Sequence, residues 1–112
     1  MEMTVDNGSV KISSEVISSI VSIAVEETEG FALAPQSFID KVFSKNESAV
    51  KVTMGEKDEV YITATVCVKY GLVIKDEAEK LQSNIAENLE VMTSLSIKEV
   101  NIDVISLLKE TV

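Results

Sequence analysis

The stretch VKVTMGEKDEVYITATVCVKYG, residues 50–71, decides the architecture. Val50, Val52 and Met54 alternate with Lys51 and Thr53. Past the turn, Val60, Ile62, Ala64, Val66, Val68 and Tyr70 alternate with Tyr61, Thr63, Thr65, Cys67 and Lys69. Successive side chains of a strand point to opposite faces, so both runs have one apolar and one mixed face. Gly55-Glu56-Lys57-Asp58 between them has turn composition. The stretch is a long β-hairpin.

Downstream, Gly71 ends the second strand and the pattern predicts a helix over 75–92. Ala78, Leu81, Ile85, Leu89 and Met92 form its inward stripe, with Glu79, Lys80, Ser83, Glu87 and Glu90 toward water. Val100, Ile102 and Val104 alternate with Asn101 and Asp103 as a last strand. Upstream, Gly8-Ser9-Val10-Lys11-Ile12 reads as a short strand, and Ser13 is placed to cap a helix. Ile12 and Ile17 then stand at the spacing of a hydrophobic staple. That helix runs to 29, with Gly30 as its left-handed cap. Residues 31–48 carry the weakest pattern. Pro35 can open a short helix with Phe38, Ile39, Val42 and Phe43 on one side. The order is β-α-(α)-β-β-α-β: an α+β two-layer sandwich, a three- to four-stranded sheet with helices on one face.

Two surfaces exceed what this fold requires. On the first helix Val16, Ile17, Ile20, Val21, Ile23, Ala24 and Val25 span roughly 200° at ~100° per residue, against the narrower stripe of an ordinary surface helix. Either the domain covers this helix on two sides, or Ile23 and Val25 belong to a partner surface. The outer sheet face would show Lys51, Thr53, Tyr61, Thr63, Thr65, Cys67, Lys69, Asn101 and Asp103. Threonines suit a wet β face. Within that face Tyr61, Thr63, Thr65 and Cys67 are the candidate docking row.

Composition sets the limits on chemistry. The chain has 112 residues, read as one domain over 1–112, and its 46% hydrophobic content suffices for a core. Nineteen acids against ten bases give −9; all ten bases are lysines, and His, Arg and Trp are absent. Without His the commonest general base and metal ligand is missing, and without Arg there is no bidentate anion clamp. A charge of −9 repels nucleic acid and anionic lipid. Cys67 lies mid-strand with no His to activate it, so it reads as an ordinary strand residue rather than a nucleophile. The carboxylates Glu26, Glu27 and Glu29 lack the loop signature of a calcium site. No phosphate-binding glycine loop occurs, and the clamp of a KH domain is missing. No catalytic residue, cofactor or metal is assigned. The acidic opening residues do not resemble a signal peptide, no apolar run is long enough to insert in a membrane, and one cysteine fits a reducing cytosol.

Several segments together carry a family resemblance. Gly8-Ser9-Val10-Lys11-Ile12-Ser13 is followed by Val16, Ile17, Ile20, Ala24 and Glu29-Gly30. Val68-Lys69-Tyr70-Gly71-Leu72-Val73-Ile74 precedes the second long helix, Leu81-Gln82 lies within it, and Val100-Asn101-Ile102-Asp103-Val104 closes the pattern. In this order they resemble the alkaline shock protein, or envelope stress response, family of low-GC Gram-positive bacteria, across residues 8–107. Ser94 stands where that family has Gly, Lys75 where it commonly has Pro, and the long charged tails of some members are missing. The resemblance implies a cytoplasmic, non-enzymatic protein-binding module in alkaline or envelope stress. It also implies a protein partner, membrane-anchored in some members, with self-association as a further expectation. An alternative it raises is an accessory regulator of fatty-acid metabolism, in the context of acetyl-CoA carboxylation or an acyl-chain kinase. It implies no catalytic residues.

Overall fold

The structure, a computed structural model, describes residues 2–5, 8–42, 48–56, 59–71 and 73–108. Its elements are β1 (Glu2–Val5), β2 (Gly8–Lys11), α1 (Ser14–Glu27), β3 (Phe31–Leu33), α2 (Gln36–Val42), β4 (Val50–Met54), β5 (Glu59–Lys69), α3 (Ile74–Thr93) and β6 (Ser96–Leu108). The hairpin read from residues 50–71 is present as β4 and β5, paired antiparallel from Val50↔Ala64 to Met54↔Val60. Lys57 and Asp58 of its turn lie outside the described residues, as does Phe43 of the short-helix reading.

β5 is the axis of the main sheet. β6 pairs with it in parallel along its whole length, from Glu59↔Ser96 to Lys69↔Leu108. A parallel neighbour needs a crossover connection, and α3 supplies it. A strand has two edges, so β3 and β4 share the other one end to end. β3 pairs antiparallel with residues 66–68 and β4 with residues 60–64. They meet at Thr65, whose N–H donates to the Ala49 carbonyl (2.7 Å) and whose carbonyl accepts from Ala34 N–H (3.0 Å). The result is the expected α+β fold with a four-stranded sheet. Two strands were not legible: β3, and β1, which forms a separate antiparallel two-stranded sheet with β2.

The core lies between α1, α3 and one sheet face. Val60, Ile62, Ala64, Val66 and Val68 of β5 are fully buried there against Ile17, Val21, Ala24 and Val25 of α1 and Leu81, Ile85 and Leu89 of α3. Ser13 caps α1 as expected, its Oγ accepting from Val16 N–H at 3.2 Å. The helix stops at Glu27 rather than 29, because Thr28 closes it in extended backbone. The Thr28 N–H and hydroxyl both donate to the Ala24 carbonyl, which supplies two donors to an end that lacks them. Asn84 Nδ2 of α3 donates back to Thr28 Oγ1 at 2.9 Å and ties the two helices together. Gly30, with φ 92°, then turns the chain into β3.

α3 ends on Ser94 in the left-handed region, φ 60° and ψ 18°. That conformation crowds a Cβ and ordinarily falls to Gly. Ser94→Gly is therefore expected to stabilise the domain by about 0.5–1 kcal/mol, read as a higher urea midpoint at unchanged slope.

Candidate interaction surface

The face of β5 turned from α1 and α3 carries the sequence-derived candidates, and register sorts them into cross-strand rows. Thr53, Tyr61 and Glu99 form one row; Lys51, Thr63 and Asn101 form the next; Thr65 and Asp103 follow. Thr53, Lys51, Glu99, Asn101 and Asp103 are exposed, and Tyr61 and Thr63 half-buried. The Tyr61 hydroxyl donates to Glu59 Oε2 (3.1 Å), and Asn101 Nδ2 donates to Glu99 Oε2 (3.2 Å). The Tyr61 ring lies over the turn, where a Cβ added at Gly55 would stand 2.9 Å from Cε2. Its hydrogen bond to Glu59, the charge of that carboxylate and, last, that of Glu99 hold the phenol above its ordinary pKa. It stays a donor into the alkaline range.

Toward the other end this face closes over. Thr65 is 6% and Cys67 5% exposed, although alternation points both away from the helices. Ala34 and Ile39 are buried as well and, like Cys67, stand outside the helix-packed cluster. The segment leaving β3 runs past this end, as the bond from Ala34 to Thr65 shows. Thr65 and Cys67 are thus corrected from open docking residues to covered ones. Alternation in β5 could not reveal this burial, because the segment that leaves β3 at Ala34 belongs to the least patterned part of the chain.

On α1 the two candidates separate. Val25 is 0% exposed and belongs to the core, whereas Ile23 is 51% exposed. At ~100° per residue the buried positions Ile17, Ile20, Val21, Ala24 and Val25 span roughly 140°, and Val16 and Ile23 fall together on one flank outside them. The sheet and α3 cover a wide arc of α1, and the surplus is that two-residue flank.

Burial raises the Cys67 thiol above its ordinary pKa, which lowers its thiolate fraction at any given pH. Alkylation by iodoacetamide at pH 8 is expected to run on the order of tenfold or more slower in the native protein than in urea. Equal rates would show that the thiol is open. Because the site is covered, Cys67→Ser is expected to cost about 1–3 kcal/mol through an added buried hydroxyl, rather than the near-zero effect of an exposed strand position.

Among the described residues, no group of three or more His, Cys, Asp or Glu side chains is placed to hold a metal ion. Nor is any described helix long and apolar enough to cross a membrane.

Fold and surface define a small α+β domain whose two long helices seal one sheet face and leave the Tyr61 end of the other open. The chain belongs to the alkaline shock protein 23 family, described as having cell envelope-related function, whose family model matches residues 2–108. It is 34% identical over 109 residues to YqhY of Bacillus subtilis (strain 168), which carries the description of an uncharacterized protein. That match covers 93% of this chain and 80% of the relative. No solved structure matches the chain significantly.

Proposed function

We propose that this domain is a non-enzymatic protein-binding module of envelope homeostasis or the envelope stress response, working in the cytoplasm and brought to the membrane by a protein partner. The family supports the envelope setting. The observation that carries the binding role is the open sheet end. There the rows Thr53–Tyr61–Glu99 and Lys51–Thr63–Asn101 present an aromatic ring, hydroxyls, an amide and both charge signs on hydrogen-bonded strands. Rigid strands lose little freedom on docking, and such mixed polarity is that of non-obligate interfaces.

The test is capture from a native envelope extract by wild type, by Thr63→Lys/Asn101→Lys, and by Glu87→Lys on exposed α3. An ammonium desolvated without a partner costs several kcal/mol. The double variant should stay folded by circular dichroism and lose the protein that wild type and Glu87→Lys both retain. Equal retention by all three would remove this face as the contact.

A further inference from the structure

We propose that the groove between α3 and the free edge of β6 takes an extended, lysine- or arginine-bearing segment of a partner protein, which joins the sheet as a strand beside β6. This rests on the binding-module reading and gives the module a specific grip. β6 is 13 residues long and pairs with β5 on one side; among the described residues no strand pairs its other side. A long unpaired edge offers a row of N–H and C=O groups that proteins ordinarily blunt. Here one carbonyl already takes a donor from outside the sheet: Gln82 Nε2 of α3 donates to Val100 O at 2.9 Å.

The wall opposite that edge is cut low. Gln82, Ser83 and Ala86 face residues 97–100 across a groove of about 290 Å³. The small side chains of Ser83 and Ala86 leave room for a backbone between helix and strand. Strand addition in such a groove draws affinity from main-chain hydrogen bonds and specificity from alternate side chains.

Charge selects the occupant. Glu79 and Glu90 lie on the α3 face of Ser83 and Ala86, at helical spacing to either side, and are exposed. Glu99 and Asp103 are exposed on β6, on the sheet face turned from α3, where they would flank the outer side of an added strand. The lysines nearby are Lys98, where the register shifts, and Lys75, one turn before Glu79 on the same face of α3. Acids outnumber them, so a cationic strand is favoured and an acidic one repelled.

The experiment pans a phage-displayed library of random twelve-residue peptides on the intact protein, then measures a synthetic copy of the enriched sequence. Enriched peptides should carry Lys or Arg at alternating positions among β-branched residues. Affinity should fall on the order of tenfold or more for Ala86→Arg and for Ser83→Arg, the latter at an exposed site that protects folding, and equally when alternate peptide amides are N-methylated. Glu26→Lys, at an exposed position of α1, should bind as wild type does. No enrichment over blank beads, or binding indifferent to Ala86→Arg, Ser83→Arg and N-methylation, overturns the proposal. Loss only in Thr63→Lys/Asn101→Lys overturns the groove while leaving the binding module standing. Concentration-dependent dimerisation abolished by Ala86→Arg would seat a second copy in the groove and overturn the peptide occupant.

Discussion

Val25→Lys is expected to unfold the domain, whereas Ile23→Lys, two residues earlier on α1, leaves it folded. Val25 is fully buried among α1, α3 and the sheet, and among the described residues no carboxylate is buried to receive an ammonium. Burying an unpaired charge costs several kcal/mol at least, against a total stability of about 5–15 kcal/mol for a typical domain. Ile23 is half exposed, so a lysine there keeps its head in water and loses part of one side chain's burial, roughly 1 kcal/mol. Far-ultraviolet circular dichroism and urea titration read both variants. Two folded proteins of similar midpoint would mean that α1 is turned differently about its axis.

Ile85→Ala should cost about 2–5 kcal/mol, through lost burial and the cavity left behind. Ile85 is fully buried midway along α3, between Leu81 and Leu89. Val91→Ala, on the same helix but exposed, should stay within about 0.5 kcal/mol of wild type. The pair calibrates how much stability comes from the inner stripe of α3 rather than from helix propensity. Urea midpoints at unchanged slope give both numbers.

What the sequence made legible followed from periodicity. The alternation of β4 and β5, the stripe Leu81–Ile85–Leu89 and the Ser13 cap each depend on neighbours within a few residues, and each is in the structure. What escaped depends on distant contacts. β3 is three residues long and exists because β5 offers an edge that β4 leaves unpaired beyond Ala64. The burial of Cys67 and Thr65 is fixed by cover from another part of the chain. The arc of α1 was correctly seen as too wide for a one-sided helix, but only packing could place Val25 inside and Ile23 outside. The groove beside β6 had no sequence signal except Gln82, singled out in the family resemblance and found bonded to Val100.

The most direct test of the central claim, that the open end of the sheet is where this domain holds another protein, is site-specific photocrosslinking in cells. A photoreactive amino acid is placed in turn at Thr63, on the open face, and at Glu87, on exposed α3. Irradiation should yield from Thr63 one discrete adduct with a cell-envelope protein, absent from Glu87. No adduct at Thr63, or the same adducts from both positions, would contradict the account.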